Sequence, residues 1–110
     1  MTESVEQMIK RINKRDDVLG LIVMNQEGIP IKSTLDRSLT AQYSSQTNQL
    51  VQLSKTCIRN LDPQNRLTVL RIRTKTHELM TVVDTDYMLL VVQDVEVKKD
   101  NNKEKESRGR

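Results

Sequence analysis

The chain contains no Phe and no Trp, and Tyr43 and Tyr87 are its only aromatic residues. Any core must therefore be assembled from Val, Ile, Leu and Met, without the large areas that aromatic rings bury. A domain of this size buries a limited share of its surface, so self-association would add stability that the core alone lacks. There is one cysteine, Cys57. An internal disulfide is excluded, and a reducing compartment fits. Glycine is scarce, and Gly20, Gly28 and Gly109 form neither a phosphate-binding loop nor a dinucleotide fingerprint. No stretch approaches the roughly 18 apolar residues of a spanning helix, and the N-terminal MTESVEQMIKRINKR lacks the apolar segment of a signal peptide. A soluble cytoplasmic protein without membrane insertion is expected.

Catalytic and metal-binding patterns are missing too. His77 is the only histidine, and it falls in a different predicted element from Cys57, with no third group to orient a nucleophile pair. A structural cysteine on a helix is the plainer reading of Cys57. The carboxylates are scattered without zinc or calcium spacing. Asp84 and Asp86 flank a turn, where Asp is favoured for local hydrogen bonding. Neither an enzyme nor a cofactor is expected. The net charge of +3 is uneven: residues 1–95 carry 12 Lys/Arg against 11 Asp/Glu, whereas residues 96–110 carry 6 against 4. The domain is almost neutral, with no basic stripe and no aromatics to stack on bases, which argues against nucleic acid.

The chain is organised around Val18 to Thr34. VLGLIVM is an almost unbroken apolar run, short and rich in strand formers, and should be a strand covered on both faces. Asn25-Gln26-Glu27-Gly28 supplies the turn, with Gly28 able to take positive φ. Ile29 to Thr34 then forms a second strand, placed at a sheet edge because Pro30 has no N–H to give to a ladder. Before this hairpin, Val5, Met8, Ile9 and Ile12 recur at helical spacing opposite charged residues, predicting an amphipathic helix capped by Thr2 or Ser4 and ending near Arg15.

After the hairpin, Ser38 to Leu61 contains no Gly or Pro and should be the longest helix, stopped where Pro63 pushes Asp62 out of the α region. Its apolar residues are interrupted by the polar run SSQTNQ. Tyr43, Leu50 and Cys57, with Thr47, Ser54 and Leu61, make a near-heptad line that would let a second helix approach. From the pattern alone, one half-apolar helix lying on the sheet fits equally well. Three more strands follow as a meander, Leu67 to Thr74, His77 to Val83 and Tyr87 to Gln93. If the last, a second continuous apolar run, lies beside the first, the order is 2-1-5-4-3. The third strand is then an edge without proline, open to pairing about a two-fold axis. Residues 96–110 are dense in charge and nearly free of apolar side chains, and are expected to be a disordered tail.

The hairpin GLIVMNQEGIPIKST, the segment LDPQNRLTVLRIRTK and the closing DYMLLVVQ closely resemble the roadblock-type light chains of cytoplasmic dynein, in register over residues 5–94. The resemblance implies an α/β roadblock domain over residues 1–95, with a five-stranded antiparallel sheet carrying the long helix on one face and the first helix on the other. It implies a homodimer, or a heterodimer with a related light chain, formed through the long helix and the third strand. Carried over by position, the contact falls on Leu50, Ser54, Cys57, Ile58 and Leu61 of the helix and on Leu67, Val69 and Arg71 of the strand. It further implies a noncatalytic subunit that binds the dynein intermediate chain in a microtubule-associated complex, supporting motor assembly and cargo attachment. More distant roadblock-domain proteins are scaffolds or regulators of small GTPases, which is the alternative. The SSQTNQ stretch, Thr81-Val82-Val83 in place of a proline-containing stretch, and the charged extension depart from the light chains, implying a diverged paralogue.

Overall fold

A computed structural model describes residues 4–95. The expected tail, the alternative cap Thr2 and the side chain of Val5 lie outside the described part. The elements are α1 (Val5–Asn13), β1 (Val18–Met24), β2 (Pro30–Ser33), α2 (Arg37–Leu61), β3 (Val69–Arg73), β4 (His77–Val83) and β5 (Met88–Asp94). All strand pairings are antiparallel, in the order β2-β1-β5-β4-β3, as the sequence predicts.

β1 and β5 pair in the middle, from Gly20 opposite Val92 to Met24 opposite Met88. Because successive side chains point to opposite faces, each continuous apolar run feeds two cores. Ile22, Met24, Met88, Leu90 and Val92 pack with Val51 of α2, whereas Leu21, Val23, Leu89 and Val91 pack with Met8, Ile9 and Ile12 of α1. The two helices therefore cover opposite faces.

α1 begins with a capping box: Ser4 Oγ accepts from the Gln7 N–H at 3.1 Å and Gln7 Oε1 from the Ser4 N–H at 3.1 Å. It ends at Asn13, two residues before the expected Arg15, because the backbone must turn for the buried Asp17. The Asp17 carbonyl accepts from the Asp94 N–H at 2.7 Å, and its carboxylate from Gln93 Nε2 at 3.4 Å, so this turn is tied to the end of β5.

The β1–β2 turn is organised by Asn25, whose Oδ1 accepts from the N–H groups of Glu27 and Ile29, both at 2.9 Å. Gly28 takes φ 85°, the only positive φ among the described residues. A Cβ there would also press on the Asn48 side chain of α2, whose Nδ2 donates to the Glu27 carbonyl at 3.3 Å. Pro30 opens β2 at the sheet edge, next to an irregularity between Val23 and Met24.

Gly28→Ala combines a strained backbone with overpacking against Asn48. It is expected to lower the unfolding free energy by about 1–3 kcal/mol, measured by urea denaturation at unchanged slope.

Candidate functional site

α2 starts at the N-cap Asp36, whose Oδ1 accepts from the Leu39 N–H at 2.8 Å, and stops at Asp62 before Pro63. The helix lies on the sheet through small residues. Thr40, Ser44, Thr47 and Val51 form its buried stripe. Two of the hydroxyls reach partners on the way in: Thr40 Oγ1 lies 2.7 Å from Ser33 Oγ and 3.2 Å from the Leu35 carbonyl, and Ser44 Oγ donates to the Ala41 carbonyl at 3.3 Å. The SSQTNQ run that interrupts the apolar pattern thus supplies part of the sheet-facing stripe, through Ser44 and Thr47.

The larger apolar residues of α2 are consequently left outside. Leu39 is 40% exposed, Leu50 41%, Leu53 63% and Leu61 82%, and Cys57 is exposed as well. At 3.6 residues per turn, Leu39, Tyr43, Leu50, Cys57 and Leu61 share one flank, rotated about a quarter turn from the buried stripe. Beside it, Leu39, Tyr43, Leu50 and Leu79 line a groove of about 320 Å³ between α2 and the outer half of the sheet.

That outer half ends at β3, which pairs only with β4, from Val69 opposite Val82 to Arg73 opposite Glu78. The Val83 N–H donates to the Thr68 carbonyl at 2.8 Å. By antiparallel alternation, the N–H and C=O groups of Val69, Arg71 and Arg73 therefore point to the open edge. On the α1 side of the sheet, Arg71 Nε lies 2.9 Å and Arg73 Nη2 3.2 Å from the carboxylate of the buried Glu78. Both guanidinium groups are more than half exposed, so solvent screens most of the attraction. The pair orders the edge strand more than it stabilises the fold.

The residues expected at a dimer contact are divided by this geometry. Leu50, Cys57 and Leu61 lie on the exposed flank, with the half-buried Ser54 at its margin. Ile58 is half-buried and in phase with Val51, facing the sheet. Leu67 packs against the α2-side core. Val69 is 48% exposed on the edge strand, and the Arg71 side chain lies over the opposite sheet face. Leu39 and Leu53 are also exposed on the helix and Leu79 also lines the groove, although the carry-over by position did not include them. Leu39 and Tyr43 continue the helical spacing of Leu50, and that periodicity was enough to include them.

Among the described residues, no group of His, Cys, Asp or Glu could hold a metal ion. Nor is any described helix long and apolar enough to cross a membrane.

This arrangement has counterparts in solved structures. The Roadblock/LC7 domain from Streptomyces avermitilis superposes with a TM-score of 0.74 at 9% identity, over 84% of this chain and 79% of that one. The Myxococcus xanthus MglB gives 0.66 at 16% identity, over 84% and 80%. The gliding protein MglB from Thermus thermophilus gives 0.63 at 8% identity, over 79% and 69%. At these identities the likeness is one of fold. The family model of the Roadblock/LC7 domain matches residues 4–94, nearly the whole described chain, and the protein belongs to that family.

Proposed function

We propose that the protein is a noncatalytic roadblock scaffold that works as a dimer and presents paired surfaces to a client protein. The observation that carries this reading is the inversion of α2: its small polar residues are buried and its leucines exposed. Full burial of a leucine is worth about 1.5–3 kcal/mol; Leu61, 82% exposed, forgoes most of this and Leu39 and Leu50, about two-fifths exposed, a smaller part, which a second α2 lying in the groove would recover. The open β3 edge lies on the same side of the molecule, so one two-fold axis can join both surfaces.

The spacing of the flank suggests how two copies meet. Antiparallel helices centred on Leu50 place Leu39 opposite Leu61, Tyr43 opposite Cys57, and Leu50 opposite itself. This alignment pairs large with large at the ends and aromatic with thiol between them. Helices packed about 8–10 Å apart, each with Cα atoms about 2.3 Å from its axis, bring facing Cα atoms to a separation a disulfide can span.

For the client, the motifs EGIPIKST and LDPQNRLTVLRIRTK support the dynein intermediate chain, through their resemblance to the dynein light chains. The bacterial roadblock proteins among the solved neighbours support the second reading, a scaffold or regulator of a small GTPase. Neither reading requires catalysis by this chain.

Leu50→Asp puts two carboxylates at the centre of the seam. It is expected to raise the dimer dissociation constant by at least about a hundredfold in sedimentation equilibrium, while the fold survives because Leu50 lies outside the core. Val69→Pro removes an outward N–H without touching the β3–β4 ladder, and should weaken the dimer in the same assay. In a Cys57→Ser background, Leu50→Cys should cross-link to a disulfide dimer on oxidation; a monomer under those conditions rejects the alignment. Calorimetric titration with the intermediate-chain segment that roadblock light chains bind is expected to give saturable heat, with a dynein light chain as control. Silence here, together with altered GTP turnover by a small GTPase, would replace the first client with the second.

A further inference from the structure

A second surface lies on the opposite flank of α2. The last turns of that helix, the loop to β3, the β1–β2 turn and the β4–β5 turn surround an open cavity of about 530 Å³. Leu67 and Val83, both packed against the α2-side core, give it an apolar wall, Val69 and Val82 line it at the end of the sheet, and Lys55, Arg59 and Arg66 bring three positive charges. Among the described residues, no carboxylate forms an ion pair with any of the three. The one acid lining the cavity, Asp84, is engaged by its own turn, with Oδ1 accepting from the Thr85 N–H at 2.7 Å. Gln26 bridges the walls: its Nε2 donates to the Asp84 carbonyl at 2.6 Å, and its Oε1 accepts from Lys55 Nζ at 3.4 Å. Lys55 is thereby held at the cavity instead of ranging through solvent.

We propose that this cavity is a docking site for an acidic segment of a partner protein, in which Asp or Glu side chains flank an aliphatic anchor. Gathering three cations that no described carboxylate pairs over low-dielectric walls focuses a positive field, and incoming carboxylates relieve the repulsion among them. The apolar walls require an aliphatic side chain, which a bare anion cannot supply. The cavity meets the C-terminal end of α2, and the negative end of its dipole weakens the attraction for any anion, so the aliphatic anchor must share in the affinity. Single-stranded nucleic acid would require aromatic platforms, and none lines the cavity.

This inference rests on the scaffold reading, whose client it describes, and its cations Lys55 and Arg59 lie apart from the leucine flank. Arg59 is nine positions from Leu50, two and a half helical turns, and so leaves the opposite side of the helix. Of the lining residues, Val69 alone belongs to the open edge strand. The cationic side of the cavity therefore stays clear of the leucine flank.

The test is selection of a random peptide phage library on the immobilised full chain, followed by affinity measurement of the enriched peptides. Enrichment of Asp and Glu around Leu, Ile or Val is expected, with binding weakened about tenfold or more by Arg59→Glu and less by Arg59→Gln, as loss of a charge-assisted contact requires. Sedimentation of Arg59→Glu should show an unchanged dimer, so a failure of the dimer reading appears there and not in the selection. No enrichment overturns the proposal, as does a motif without acidic residues. Acidic peptides that bind Arg59→Glu and Lys55→Glu as well as the parent also overturn it, and so does displacement by an oligonucleotide but not by free acidic peptide.

Discussion

The antiparallel pairing of β1 with β5 is the constraint on which the rest depends. Both strands are buried on both faces, so neither can serve as the surface of a one-layer protein. Two helices must cover them, and the short α1 and long α2 do so from opposite sides. With no Phe or Trp to fill space, coverage relies on close approach. Gly20 shows the tolerance: a Cβ there would overlap the side chain of Leu35, the residue leading from β2 into α2. The hairpin, the connection and the helix are fitted to one another at the level of single methyl groups.

Close approach also explains the composition of α2. A helix seated through Thr40, Ser44 and Thr47 lies nearer to its sheet than one seated through leucines, and it needs its hydroxyls satisfied on entry. Thr40 meets this with Ser33 and the Leu35 carbonyl. The leucines thus displaced from the sheet-facing stripe gather on one flank. Exposed leucines on a well-ordered helix cost solubility without strengthening the monomer, so they are best explained by a surface that is covered in the working assembly.

Sheet order and helix placement were legible because they depend on local signals that do not compete: two doubly apolar runs, one turn glycine and one proline at an edge. Strand ends shifted by a residue or two. Leu67 and Thr68, expected in the third strand, lie before β3 in the loop at the cavity, although the Val83 N–H still reaches the Thr68 carbonyl. The orientation of α2 was not legible in the same way. Hydropathy ranks Leu50 as a core residue and Thr47 as a surface one, and only the depth available between helix and sheet reverses that order. The basic cavity was hidden for a different reason. Lys55, Arg59, Arg66 and Gln26 are spread over a turn, a helix and a loop, and no linear spacing brings them together.

The two flanks of α2 also allow assembly and capture to coexist. If one apolar face served both the second copy and the client, each would exclude the other, and raising the concentration of scaffold would lower its occupancy. Here the leucine flank and the cationic cavity diverge by half a helical turn, so both can be filled at once. In the proposed dimer, two-fold symmetry would present two cavities, and a client with two acidic segments, or a pair of identical clients, would gain from linked binding without any new contact. In that arrangement apolar burial would set the strength of the dimer, and charge the selectivity and salt sensitivity of client binding. Such a division would let a small, nearly neutral domain without aromatic anchors act as a stable platform while holding its clients reversibly.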